Sequence, residues 1–144
     1  MRRFFIAAVA AALGALLVSV SSVAASSGTT TCTDTLAPGT YGRVVVPAGA
    51  ACVTFNAIED NVIHGGATIS GYTGFWQGFF RNSVSGSVNF NNNTVVDPDG
   101  NEVQTNTIHG NLNCSGNDPA PQAGDSGGSP NNVTGQKTGQ CTTV

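Results

Sequence analysis

Beyond residue 25 the apolar residues come singly or in short β-type runs set among Gly, Asn, Thr and Ser. No stretch repeats apolar side chains at i, i+3, i+4 and i+7 over three turns, so no helix is predicted. The runs fall at 42–46, 61–65, 82–90, 106–114 and 131–135. The last four share a frame: Asn, any residue, Val or Ile, a small or His side chain, then Gly. The glycines of that frame, Gly65, Gly86, Gly110 and Gly135, recur at nearly even intervals, and Gly42 opens a similar run one such interval before Gly65.

A short strand that returns at so even an interval is the signature of stacked coils, each too thin to bury its own apolar face. The frame therefore predicts an all-β fold, a short parallel β-helix or solenoid of about four to five coils, each of about 21–25 residues. Stacking would turn Ile63, Val84, Ile108 and Val133 into one inward ladder, and Ala67, Val88 and Leu112 into a second. Asn61, Asn82, Asn106 and Asn131 would form a third ladder at the turn before each strand, where Asn bonds backbone and tolerates left-handed geometry. The repeat glycines suit a bend or a tight position that admits no Cβ. The rival architecture is an irregular β-sandwich, which calls for hairpin turns about twice as often; Asp99-Gly100 is the nearest approach to one.

The N-terminal segment reads differently. Arg2 and Arg3 precede an apolar run from Ile6 to Val18, and Val23-Ala24-Ala25 offers small side chains at a cleavage site, so residues 1–25 are expected to be a signal peptide and 26–144 a single disulfide-stapled β-solenoid domain. This predicts a secreted, extracellular product with no membrane association after cleavage. Without Arg2 and Arg3, three basic residues face eight acidic ones, a charge of −5 that disfavours nucleic acid as a partner. Four cysteines in an oxidising compartment predict two disulfides, and a chain this short needs them. Three pairings are possible; Cys32–Cys52 and Cys114–Cys141 are favoured, because each then spans about one coil and staples one end. No CxxC pair supports zinc.

The segments 110–119 and 132–141, which carry Cys114 and Cys141, together with the opening Pro38-Gly39-Thr40-Tyr41-Gly42 and the run 44–50, resemble uncharacterised secreted proteins of actinobacteria. The resemblance implies a right-handed parallel β-helix of the pectin-lyase-like type, shortened, and an extracellular compartment. It brings no catalytic residues. The segment 72–80 departs from a plain coil.

That segment holds five aromatic residues, Tyr72, Phe75, Trp76, Phe79 and Phe80, separated by glycines. They form either a ligand surface for a sugar ring or another protein, with Trp76 the most exposed, or the filling of a wide interior. His64 and His109 occupy the same frame position two coils apart, too far to share a metal ion, and are read as solvent-facing strand residues. Asp97, Asp99 and Glu102 surround a turn that has calcium-type oxygen ligands but not the spacing of a calcium loop, and are read as a surface turn. No cofactor is expected. A lyase acting on acidic polymers would need clustered cations that the chain lacks, and no Gly-x-Ser-x-Gly elbow stands in a strand-turn-helix context. The expected function is that of an extracellular structural or surface-associated protein without catalytic activity; the alternative is a carbohydrate- or protein-binding module using residues 72–80. The partner would then be a cell-wall or extracellular polysaccharide, or a protein.

Overall fold

Alternating side chains on short strands, with a bend or a corner after each, let the chain close one flattened coil and begin the next directly above it. The computed structural model describes residues 28–33, 39–48 and 55–144. Strand β1 (Thr29–Thr31) precedes a first coil of β2 (Thr40–Tyr41), β3 (Arg43–Val46) and β4 (Phe55–Glu59). The second coil holds β5 (Val62–Ile63), β6 (Ala67–Ser70), β7 (Thr73–Gly74) and β8 (Trp76–Phe80). The third holds β9 (Ser83–Val84), β10 (Val88–Asn91), β11 (Thr94–Val95) and β12 (Asn101–Gln104). A fourth begins with β13 (Thr107–Ile108) and β14 (Leu112–Ser115), and β15 (Asn132–Val133) and β16 (Lys137–Gly139) lie above it. The strands stack into sheets ordered β1-β3-β6-β10-β14-β16, β2-β5-β9-β13-β15, β4-β8-β12 and β7-β11, and every pairing between them is parallel. The fold is an all-β parallel solenoid of about four turns, and the sandwich is set aside because its hairpin pairs would be antiparallel.

The register puts like on like. Ile63, Val84, Ile108 and Val133 stand in one column, and Ala67, Val88 and Leu112 in another, as the frame predicts. Two further inward columns, Val46–Ile69–Phe90–Cys114 and Ile58–Phe79–Val103, complete the core. Ile63, Val84, Val88, Ile108 and Leu112 are fully enclosed, and each contributes about 1.5–3 kcal/mol by leaving water.

The asparagines are part of that interior rather than of its surface turns. Asn61, Asn82, Asn106 and Asn131 are all buried. Each Oδ1 from Asn82 onward accepts both the backbone N–H and the Nδ2–H of the Asn one coil earlier, at 2.7–3.1 Å. The other Nδ2 hydrogen goes back to the carbonyl of Ile58, Phe79 or Val103. An amide left bare in such a place would cost about 1–3 kcal/mol; the stacked amides satisfy one another. The left-handed backbone expected of these asparagines falls one residue earlier, on Asp60, Arg81 and Thr105, with φ of 58°, 55° and 58°. That reversed residue turns the corner, so that the Asn after it points inward. A second corner repeats the device: Gly71, Asn92, Gly116 and Gly139 have positive φ, and after the last three come Asn93, Asn117 and Gln140, joined by amide bonds of 2.9–3.1 Å.

The repeat glycines stack backbone on backbone. A Cβ at Gly86 would lie 2.8 Å from the Gly65 carbonyl, and one at Gly110 would lie 2.6 Å from the Gly86 carbonyl carbon. At the far end Cys141 is bonded to Cys114, with Cα atoms 5.2 Å apart, and Val144 tucks into the core. Cys32 is buried; Cys52, and with it the expected Cys32–Cys52 pair, lies outside the described residues, as does the expected signal peptide.

Candidate functional site

The outer surface of the three-stranded sheet gathers the side chains that a plain coil does not explain. In β12, Val103 points to the core beside Phe79, so strand alternation places Glu102 and Gln104 on the opposite face, in register with Gly78 and Phe80. Glu102 is nevertheless 1% exposed. Its Oε1 accepts the Trp76 indole N–H at 2.9 Å and the Ser126 hydroxyl at 2.9 Å, and its Oε2 accepts Nε2 of Gln104 at 2.6 Å. Gln104 in turn accepts the backbone N–H of Gly124 at 2.8 Å. The segment 122–129 is thus strapped across the sheet by side chains that alternation would otherwise leave in water. Glycine at 78 lets the Trp76 and Phe80 rings close over the strand, where their centroids lie 5.6 Å apart and tilted by 47°; a Cβ there would strike both rings.

The five aromatic residues do not share a face. Tyr72 and Phe79 are fully buried, Phe79 because its position alternates inward. Phe80 is buried against the Trp76 ring, Trp76 is partly covered and Phe75 is 41% exposed. A single flat surface made of all five is therefore excluded, and any ligand surface here is reduced to Phe75 and the accessible part of Trp76. Val96, 77% exposed, continues from Phe75 in the next coil.

The remaining candidates separate. Glu102 is withdrawn into its network, leaving Asp97 and Asp99 alone in the turn, and no three His, Cys, Asp or Glu side chains converge among the described residues. Glu59 and Asp60 do not approach that turn; both pair with Arg81, at 2.6 and 2.7 Å. The hydrogen bond from Arg81 holds the Asp60 carboxyl below its ordinary value, and the same bonds push the guanidinium upward. The Arg81 guanidinium also lies 5.6 Å from the centre of the Phe80 ring. His64 and His109 are exposed.

No family model, curated protein or solved structure matches the chain. What the site does must be read from its chemistry. Both oxygens of Glu102 accept from neutral donors and are shielded from solvent, an arrangement that fastens a loop. In sequence Glu102 reads as part of an acidic turn because its neighbours are acidic; its partners Trp76 and Ser126 lie 26 and 24 residues away and become visible only once register is known. The second amide ladder had a usable signal, since Asn93 and Asn117 lie 24 residues apart, in step with the neighbouring repeat glycines.

Proposed function

We propose that this chain is a secreted, extracellular structural or surface-associated protein without catalytic activity, a short rigid rod of the right-handed, pectin-lyase-like kind that its end segments resemble. The observation that carries this reading is the amide ladder from Asn61 to Asn131. It commits the polar interior to joining coils. The carboxylates with defined partners, Glu59, Asp60 and Glu102, are likewise engaged in holding the chain to itself. The Cys114–Cys141 disulfide fits an oxidising compartment.

Expression of the full chain in a secreting bacterium tests this. The product is expected in the medium or on the cell surface, beginning at Ser26, and it should release no reducing ends from a panel of neutral and acidic polysaccharides. Retention in the cytoplasm, or turnover of any of these polymers, would overturn the reading. A second reading, a carbohydrate- or protein-binding module, draws support from the exposure of Phe75 beside Val96.

A further inference from the structure

From β6 to β16 the outer face of the six-stranded sheet carries two columns of neutral hydrogen-bonding groups, beyond Val45 of β3. Thr68, Asn89, Asn113 and Thr138 stand in successive coils in one outward column. Two residues further along each strand, Asn91 and Ser115 stand in a second. The side chains are tied along the stack: Asn113 Nδ2 donates to Asn89 Oδ1 at 3.0 Å, Thr138 Oγ1 to Asn113 Oδ1 at 2.9 Å, and Ser115 Oγ to Asn91 Oδ1 at 3.0 Å. Their rotamers are fixed before any ligand arrives, which removes most of the ordering cost of binding. The grid repeats at about 4.8 Å between coils and about 6.6 Å between alternate residues.

We propose that this face binds ice. Water in a crystal is a neutral ligand with donors and acceptors at fixed intervals, and the prism face of hexagonal ice has one repeat close to the spacing between coils. Over the four rungs from Thr68 to Thr138 the accumulated mismatch stays below half a repeat. Charge distribution favours the same occupant. An ionised side chain holds its own hydration shell and disrupts the lattice, and the two columns contain none. Arg43 points from the same face but in a different column, on β3 before the first of the four rungs, and Lys137 sits above the inward-facing Leu112. The described acids lie elsewhere, in the third sheet and its corner at Glu59, Asp60 and Glu102, or in the turns at Asp97, Asp99, Asp118 and Asp125. Hydroxyls and amides that still have a free valence can each join a first layer of ordered water, and water-bridged bonds are nearly as favourable as direct ones. The inference goes beyond the structural reading and does not depend on it; a rod that ignored ice would still be a rod.

Slow freezing of a solution of the secreted protein on a cold finger provides the test, beside the recrystallisation of a polycrystalline ice film. The parent protein is expected to enter the ice at several times the share of an inert control protein and to arrest grain growth. Asn89→Lys combined with Asn113→Lys should fall to the control level with an unchanged circular dichroism spectrum, whereas Ser83→Lys, on the five-stranded sheet, should match the parent. If the double variant does not fold, Thr68→Lys alone decides in the same way. Exclusion of the parent protein from ice, or full partition of a folded lysine variant, would overturn the proposal.

Discussion

Asn106 shows how much one side chain can be asked to hold. Its Oδ1 receives two donors from Asn82, and its own Nδ2 reaches both Asn131 and the Phe79 carbonyl. Alanine at this position would strand a buried N–H, a buried amide hydrogen and the Phe79 carbonyl at once, while Asn131 Oδ1 would keep the backbone N–H of residue 106. Each stranded group costs about 1–3 kcal/mol, less what relaxation recovers. Asn106→Ala is therefore expected to destabilise by roughly 3 kcal/mol and to lower Tm by on the order of 10 °C. Thr107→Ala, one residue on and partly exposed, should shift Tm by about 2 °C or less. Thermal melting of the two variants separates a ladder that supports the fold from one that merely accompanies it. The frame of Asn, Val or Ile, and Gly was legible in the sequence because each of its residues does one job at every coil. Which backbone position carries the reversed turn was not, because Asp60, Arg81 and Thr105 have no chemistry in common beyond tolerating it.

At the scale of elements, the strap over the three-stranded sheet is the part that composition concealed. The segment 115–130 reads as an open loop, rich in Gly, Pro, Asp and Ser, yet Gln122 pairs in parallel with Glu102, and Asp118 with Thr94. It continues the coil without forming a regular strand. Its outward anchors are Glu102, Gln104 and, through Glu102, Trp76. Trp76→Ala removes the indole donor and the ring packed on Phe80, and should cost about 2–3 kcal/mol. Glu102→Gln keeps the shape but sets an amide N–H₂ against one or more of the three donors, and should mainly speed hydrogen exchange across 122–129. Retention of the parent protein on insoluble polysaccharide, lost in Trp76→Ala with no change in melting, would instead favour the binding reading. The aromatic segment resisted sequence reasoning for a related reason: inward and outward rings alternate on one strand, and composition does not say which is which.

For the molecule as a whole, the ends are the weak points, since a terminal coil has a neighbour on one side only. The Cys114–Cys141 bridge and the buried Val144 close one end. By the chain-entropy model a loop of 27 residues makes such a bridge worth about 3.5 kcal/mol. Cys141→Ser should lower Tm accordingly and release the tail first to protease, while peptide mapping of the parent should recover Cys114 joined to Cys141; equal protection of the tail in the variant would mean that the bridge is dispensable. The asparagine ladder gives the rod one more property. All its amides point the same way, each oxygen toward the earlier coil and each hydrogen toward the later one, and aligned bonds of this kind polarise one another. Their dipoles add. The oxygen end begins at Asn61, whose buried Oδ1 has no hydrogen-bond partner among the described residues, preceded in its column by Gly39, which brings no side chain; the hydrogen end finishes at Asn131. Like a helix, the solenoid interior is electrically directional, negative toward the first coil and positive toward the last, so that a cation is better placed at one end of the rod and an anion at the other.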